Sequence, residues 1–259
     1  MYSILSSICS TVSPGDTCMT SVAIIGSNLI GLICADKLSN NNEVTIFSSE
    51  LELGFPSDFP GYCLDNQLIK QLLSGQEQSK LFENKVGNSI NFRTEWFCKL
   101  LTHKLAKNSV VIYNRTRVIG ISEFDNQLKI NISGSELNQK VLNYDKVIDL
   151  SDLDYNKIGN NIHSHNFSSD MIVKPNITTK KYFVGVCLES ELGSLSKYDL
   201  SVIRSDKLVE LWYEYGKEEN PIHGWIEFKN VNSYYDNKLM ILDDYYSIAN
   251  IIVDGLVNL

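Results

Sequence analysis

The sequence contains no run of basic residues and has more acidic than basic side chains. Its 259 residues include 23 Lys and Arg against 31 Asp and Glu, which gives a formal net charge of −8. Nucleic acids and anionic membrane surfaces repel such a chain, so we expect neither as a partner. The most apolar window, 22–35, is interrupted by Gly26, Asn28 and Gly31. It stays below the roughly 18 apolar residues of a membrane span, and the sequence therefore predicts none.

Metal-binding and disulfide patterns are also missing. The six cysteines include no Cys-x-x-Cys pair and fit no zinc spacing. We therefore predict reduced thiols in a cytoplasmic protein, with Cys34 and Cys98 on buried helix faces. His163 and His165 form a His-x-His pair, but no Cys or acidic cluster surrounds it, so we predict no metal site. Residues 1–19 contain no Lys or Arg, unlike a secretory signal, and we expect a poorly ordered leader there.

The clearest local pattern is a strand, a tight turn, a helix and a second strand near the N-terminus. Apolar residues predict a strand over Ser21–Ile25, a helix over Leu29–Leu38 and a strand over Val44–Phe47. This order is typical of the β-α-β unit that opens a dinucleotide-binding fold. We therefore expect the two strands to be parallel neighbours in one sheet.

The turn between the first strand and the helix reads Gly26-Ser27-Asn28-Leu29-Ile30-Gly31. It is close to the Gly-x-Gly-x-x-Gly fingerprint, in which the first glycine makes the tight turn and the third lets helix and strand pack closely. Ala35, one helical turn further on, is small for the same reason. Because a helix N-terminus offers free N–H groups to a pyrophosphate, Gly26, Ser27, Asn28 and Gly31 are candidate cofactor-binding residues.

Two positions depart from this fingerprint. Asn28 replaces the second glycine, and we expect it at positive φ because Asn tolerates that region better than most residues. Ser48 occupies the place of the acidic residue that holds the ribose hydroxyls, and Glu50, two residues later, is the candidate for that contact. These losses leave open a second interpretation, a Rossmann-like layer that binds nothing.

The residues after the second strand resemble a group of FAD-dependent enzymes that includes geranylgeranyl reductases, lycopene cyclases and aromatic hydroxylases. The resemblance is carried by the loop 53–61, which contains Leu-Gly-Phe-Pro and Pro-Gly, by Arg93 before a predicted helix over Thr94–Lys107, and by the strand Val110–Tyr113. It implies FAD as the cofactor and places Arg93 beside the FAD pyrophosphate. Nicotinamide-dependent dehydrogenases of the ketopantoate reductase type share the first unit but lack the Arg-led helix.

Further along the chain the alternation of apolar residues predicts more strands. A hairpin over Arg117–Phe124 and Gln127–Ser133 is followed by one strand over Val141–Leu150. Past residue 150, strands are predicted at Lys181–Leu188, Leu208–Tyr215 and Trp225–Phe228.

The C-terminal segment predicts a strand from Leu239, a turn at Asp243 and Asp244, and a helix from about Ser247 to Val257. This segment is similar to the second flavin segment of the same FAD-dependent group. The resemblance implies that Asp244 contacts the ribityl or pyrophosphate part of FAD.

Together these patterns predict an α/β fold with a Rossmann-like FAD/NAD(P)-binding domain over residues 20–150, built on a mainly parallel sheet. Residues 151–259 are expected to add a reduced antiparallel layer whose last strand and helix return to the first domain. The predicted function is that of an FAD-dependent oxidoreductase or monooxygenase-like flavoprotein acting on a small-molecule substrate. A non-catalytic binding or assembly subunit with a protein partner, and an NAD(P)-dependent dehydrogenase, remain the alternatives.

Overall fold

The computed structural model describes residues 19–55, 57–134, 141–151 and 170–257. The predicted leader up to residue 18 and the pair His163 and His165 lie outside the described residues. The strands, numbered in chain order, are β1 (Thr20–Ile25), β2 (Asn42–Phe47), β3 (Tyr62–Cys63), β4 (Asn84–Val86), β5 (Ser89–Asn91), β6 (Val111–Tyr113), β7 (Thr116–Phe124), β8 (Gln127–Gly134), β9 (Val141–Tyr144), β10 (Lys146–Asp149), β11 (Ile172–Val173), β12 (Thr179–Leu188), β13 (Leu200–Ile203), β14 (Leu208–Glu214) and β15 (Glu227–Tyr234). The helices are α1 (Leu29–Leu38), α2 (Asn66–Leu72), α3 (Gly75–Gln78), α4 (Thr94–Lys107), α5 (Leu242–Val257) and a 3-10 helix, Glu189–Ser194.

Five strands form a parallel sheet in the order β11-β10-β1-β2-β6. The pairing of β1 with β2 sets Val22 opposite Val44 and Ile25 opposite Phe47, which confirms the predicted parallel neighbours. The inner strands are buried on both faces, as their continuous apolar sequences indicate. The carboxyl ends of β1, β2 and β10 therefore meet at one edge of the sheet, where α1 begins.

Helix α1 lies in the middle of the largest apolar core. Eight of its ten residues are buried, because α4 and α5 pack against it on the same side of the sheet. Helix α4 has the bounds predicted from the apolar spacing of its sequence. Cys34, Cys63, Cys98 and Cys187 are free and buried. Within the described ranges no helix is both long enough and apolar enough to cross a membrane.

Two small antiparallel sheets flank the parallel one, in the orders β3-β5-β4 and β7-β8-β9. The hairpin of β7 and β8 was predicted, and its two turn residues, Asp125 and Asn126, have φ of 51° and 60°. Positive φ at both positions is the requirement of the tight hairpin turn that fits twisted strands.

A four-stranded antiparallel sheet in the order β13-β14-β12-β15 forms the layer expected after residue 150, and we call it the second sheet. Alternate side chains of its strands build two separate apolar clusters. One face carries Tyr182, Val184 and Trp212, and packs toward the rest of the protein through Tyr62. The opposite face carries Phe183 and Tyr213, among others.

Three predicted boundaries are wrong. The strand over Val141–Leu150 is two strands, β9 and β10, because Asp145 accepts hydrogen bonds from Ser21 and breaks the run between two sheets. The strand expected at Trp225–Phe228 begins at Glu227, and the Trp225 ring before it packs against Gly185, where an added Cβ atom would lie 2.4 Å from the ring. The C-terminal helix begins at Leu242 rather than Ser247, so Asp243 and Asp244 lie in its first turn instead of in a turn before it.

Candidate dinucleotide-binding site

The turn between β1 and α1 has the tight geometry that its two glycines allow. Gly26 has φ of 110°, in the region that favours glycine. A Cβ atom on Gly31 would lie 2.6 Å from the Gly26 carbonyl oxygen and 3.2 Å from Leu150 Cδ1. Helix and strand therefore approach each other as closely as the fingerprint requires.

Asn28 does not adopt the positive φ expected of it. Its φ is −65° and its ψ is 173°, so the backbone is extended, and its side chain caps α1. Asn28 Oδ1 accepts a hydrogen bond from the Gly31 N–H at 3.1 Å. The residue works as an ordinary helix cap rather than as a substitute for a flexible glycine.

The amide nitrogen of the Asn28 side chain is a donor without an acceptor in the described chain. Asn28 Nδ2 is buried and has no hydrogen-bond partner among the described residues. A buried amide left in this state costs about 1–3 kcal/mol. Beside it, Leu29 and Ile30 open the first turn of α1, where N–H groups have no partner inside the helix. This end of the turn is suited to an anionic oxygen, which is the acceptor that a pyrophosphate supplies.

The loop after β2 covers one side of the turn. The Gly54 N–H donates to the Ser27 carbonyl oxygen at 2.6 Å, and Ser27 and Asn28 are only 3% and 9% exposed. Gly54 has φ of 71°, and a Cβ atom there would lie 2.5 Å from Cys98 Sγ. The loop is thus held between the turn and α4, and a ligand must reach the turn from another side or displace this loop.

The ribose end of the site is already occupied by protein hydrogen bonds. The Ser48 hydroxyl lies 2.7 Å from the Ser27 hydroxyl and accepts from the Glu50 N–H at 3.1 Å. The Glu50 carboxylate, predicted to hold the ribose, accepts from the Ser49 hydroxyl at 3.3 Å. The fit to a dinucleotide is therefore good at the pyrophosphate end and weaker at the ribose end.

Arg93 precedes α4, as predicted, but its side chain points toward the second sheet. It lies 3.9 Å from a Glu95 carboxylate oxygen through its Nε and lines a cavity against strands of that sheet. Its predicted contact with a pyrophosphate stays a prediction.

Asp243 and Asp244 lie at the start of α5, and both carboxylates are engaged. Asp243 accepts from the N–H groups of Leu64 and Asp65, each at 2.9 Å. Asp244 accepts from the Ile241 N–H at 2.9 Å and pairs with Lys238 at 3.0 Å. Asp244 thereby caps its own helix, and its predicted contact with FAD stays a prediction.

A small cavity next to Arg93 is partly open to solvent. Its charged lining comes from α4 and the second sheet: Arg93, Glu95, Arg204, Glu210, Glu227 and Lys229. The residues from the second sheet could not be predicted from the sequence, because they come from separate strands that only the folded sheet brings together. Among the described residues, no group of three or more His, Cys, Asp or Glu side chains is placed to hold a metal ion.

One buried carboxyl group lies near this cavity, in the loop that follows β2. Burial raises the pKa of Asp58 to about 7, although the neighbouring Lys229 ammonium opposes the shift. Lys229 Nζ donates to the carbonyl and hydroxyl oxygens of Ser57, at 3.0 and 3.3 Å. Lys229 therefore ties the second sheet to the covering loop, next to the buried Asp58 carboxyl group.

Comparison with known proteins adds the fold family of this arrangement. No protein-family model and no curated protein matches the sequence. Among solved structures, p-nitrophenol 4-monooxygenase from Pseudomonas putida is similar over 92% of this chain and 80% of its own, with a TM-score of 0.62 and 12% identity. The L-α-glycerophosphate oxidase from Mycoplasma pneumoniae, solved with FAD bound, is similar over 93% and 94% of the two chains, with a TM-score of 0.58 and 14% identity.

A third neighbour is a flavoprotein/dehydrogenase from Cytophaga hutchinsonii. The similarity covers 92% of this chain and 76% of that one, with a TM-score of 0.51 and 12% identity. Because each similarity covers more than nine-tenths of this chain, it extends beyond the β-α-β unit into the second sheet. The similarities confirm the predicted Rossmann-like α/β fold with an added antiparallel layer.

Proposed function

We propose that the chain is an FAD-dependent oxidoreductase. The observation that carries this proposal is the buried Asn28 Nδ2 donor without a partner at the phosphate turn. It lies in a fold shared, over nearly the whole chain, with structures that include an FAD complex and a flavoprotein. A pyrophosphate oxygen is the acceptor that would remove the cost of leaving this donor unsatisfied.

In this proposal the turn holds the pyrophosphate of FAD. Gly26 and Gly31 keep the turn tight, Asn28 donates from Nδ2, and Ser27 borders the same edge. FAD, when bound, would supply the redox chemistry, since the protein in such enzymes positions the flavin and tunes it. The covering loop that reaches Gly54 would keep water away from one side of the turn.

The proposal includes three further residues, which have less structural support than the turn. Glu50 remains the candidate for the ribose, because it follows Ser48 and Ser49 in the loop directly after β2. For Asp244 and Arg93, the structure gives each side chain a protein partner, Lys238 and Glu95 respectively. Their part in holding FAD therefore rests on the family resemblance alone.

The substrate in this proposal is a small molecule, since the structural neighbours include a p-nitrophenol 4-monooxygenase and an L-α-glycerophosphate oxidase. We also propose a cytoplasmic location, since the four described cysteines are thiols without a disulfide.

The test is the visible spectrum of the purified protein, followed by titration of the flavin-free protein with FAD. Flavin absorbance, or quenching of FAD fluorescence on addition of the protein, is the expected result. Titration with NAD(P)H in place of FAD tests the dehydrogenase alternative. A protein that is colourless and binds none of these cofactors would overturn the proposal.

Two features of the turn favour a second function. The turn is covered by the loop that reaches Gly54, and the Ser48 hydroxyl in the place of the acidic residue already bonds to Ser27. A non-catalytic descendant that kept the fold for a binding or assembly role would have these features. Loss of cofactor binding in a well-folded protein is the outcome that favours this function.

A further inference from the structure

The phosphate turn is closed, because the covering loop lies against it. The Gly54 N–H donates to the Ser27 carbonyl oxygen at 2.6 Å, and the Asn28 Nδ2 donor in the same turn is buried. A ligand oxygen that bonds to this donor must therefore displace part of its surroundings. The covering loop is the element that can give way, since it belongs to no helix or strand, whereas β1 and α1 are fixed in the sheet and the core.

Both ends of the covering loop are attached to regular structure. It begins at the end of β2, and at its far end the Gly61 carbonyl oxygen accepts from the Phe92 N–H at 2.8 Å. The next residue, Tyr62, pairs with Asn91 in the small sheet of β3 and β5. Opening of the turn is therefore a movement of the middle of the loop, and the contacts made there control it.

Ser57 holds the middle of the loop to two other parts of the protein. Lys229 Nζ, from β15, donates to the Ser57 carbonyl oxygen at 3.0 Å and to its hydroxyl oxygen at 3.3 Å. The same hydroxyl donates to Glu95 Oε1 of α4 at 3.2 Å. Ser57 is only 1% exposed, so water does not compete for these bonds while the loop is closed. Hydrogen bonds from a charged donor are stronger than those between neutral groups, which makes Lys229 a firm attachment.

The attachment at Ser57 restrains the contact at Gly54. Ser57 follows Gly54 by three residues, and three residues of chain span at most about 10 Å. Next to Ser57, the buried Asp58 carboxyl group also lies near the Lys229 ammonium, which opposes the rise in its pKa caused by burial. Loss of the ammonium would therefore weaken the closed loop in two ways, through Ser57 and through Asp58.

We propose that Lys229 is a latch: its hydrogen bonds to Ser57 hold the covering loop on the phosphate turn, and FAD enters when they break. The latch joins the second sheet to the cofactor site, so a shift of β15 away from the loop would release the turn. As regulation of cofactor entry, this inference rests on the proposed function. Closure of the loop does not, because its contacts form without a cofactor.

The test compares Lys229→Met with the original full chain in flavin-free form. Met has nearly the length of Lys but no donor. Hydrogen exchange of the Gly54 amide, followed by NMR, reports opening of the loop, and stopped-flow quenching of FAD fluorescence reports entry of the cofactor. Both rates should rise at least about tenfold in Lys229→Met. Lys181→Met, which removes an exposed lysine from β12 of the same sheet, is the control and should change neither rate.

Ser57→Ala keeps the test decisive if Lys229→Met folds poorly. It removes the hydroxyl but keeps the carbonyl oxygen that accepts from Lys229, so both rates should rise by a smaller factor, roughly threefold. An unchanged exchange rate of the Gly54 amide in folded Lys229→Met would overturn the inference. Faster exchange with an unchanged rate of FAD association would overturn it as well.

The two readouts let this inference and the proposed function fail separately. Faster exchange in Lys229→Met, without FAD binding by any form of the protein, contradicts the oxidoreductase function and retains the latch. FAD binding with equal rates of exchange and association in the original protein and both variants retains the function and removes the latch.

Discussion

The N-termini of α1 and α5 were both predicted to face an anionic cofactor, yet the protein equips them in opposite ways. The first turn of α1 has no acidic residue, and its cap is the neutral Asn28, which keeps one amide donor without a described partner. The first turn of α5 contains Asp243 and Asp244. The two helices pack against each other in one core, so the contrast does not come from different layers.

At α5 the negative charges are used by the protein itself. Asp243 joins α5 to the segment before α2 by accepting from Leu64 and Asp65, and Asp244 caps α5 through Ile241. Two carboxylates already interact with the positive potential at this helix N-terminus, so a phosphate would gain little from binding there. An anionic ligand would therefore bind at the N-terminus of α1, whereas the first turn of α5 stabilises the fold.

We expect the largest effect from replacing Asp58, a third carboxyl group close to α5. Asp58 lies near Tyr245 of α5, and burial raises its pKa to about 7 from an ordinary value of 3.8. Because the folded protein holds this proton more tightly than the unfolded chain, stability falls as the pH rises from about 4 to about 7. Asp58→Asn should therefore stabilise the protein at pH 8 by roughly 2–4 kcal/mol.

Urea unfolding of Asp58→Asn and of the original protein at pH 5 and pH 8 measures this effect. The gain should shrink at pH 5, where the folded protein keeps Asp58 mostly protonated. Asp125→Asn, at an exposed hairpin turn, is the control and should change little at either pH. A gain for Asp58→Asn that is the same at both pH values would show that its titration is not the cause.

The next largest effect is expected from adding one methyl group in the first turn of α1. Gly31→Ala places a Cβ atom 2.6 Å from the Gly26 carbonyl oxygen, which is a backbone atom and cannot rotate away. We expect a loss of roughly 2–3 kcal/mol of unfolding free energy in a urea titration. Gly75→Ala is the matched control, since nothing lies within 4 Å of the added atom. Equal stability of the two variants would mean that the turn is looser than described.

A smaller effect is expected at Asp243. Replacement by Ala removes two hydrogen bonds from backbone N–H groups to a carboxylate and loosens the link between α5 and the segment before α2. The loss should be about 1–2 kcal/mol in urea unfolding, because these bonds lie near the surface. FAD affinity should stay unchanged, and a large loss of FAD binding would place the cofactor at α5 after all.

The smallest loss of stability is expected for Asp244→Ala. This change removes a helix cap and an exposed ion pair with Lys238, together worth about 1 kcal/mol. Thermal unfolding measures it, with Asp244→Asn as the variant that retains part of the cap. FAD affinity decides the role of the residue: a loss of binding in Asp244→Ala but not in Asp243→Ala would support the predicted contact.

Local patterns in the sequence account for much of the fold. The alternation over β7 and β8, the apolar spacing of α4 and the glycines at 26 and 31 each depend on residues close together in the chain. Those elements have the predicted positions in the structure. The break at Asp145 was missed because its cause is a hydrogen bond to Ser21, which is distant in sequence.

The candidate site was predictable only in part for the same physical reason. The turn at Gly26 is a local motif, but whether Asn28 would flip to positive φ or cap the helix depends on competing local hydrogen bonds. The cavity of Arg204 could not be predicted, since it exists only where the end of β13 meets α4 and strands of the second sheet. The use of Asp243 by the segment before α2 is a long-range contact of the same kind.

Asn28→Asp tests the central claim most directly, because it separates the cap from the donor. Asp caps a helix as well as Asn does, so the Gly31 N–H keeps its acceptor and stability should change little. The amide donor is replaced by a carboxylate oxygen, which repels a pyrophosphate. Titration of flavin-free protein with FAD should show an affinity at least about tenfold lower in Asn28→Asp than in the original protein. An unchanged affinity in a variant of unchanged stability would contradict the assignment of the cofactor to the N-terminus of α1.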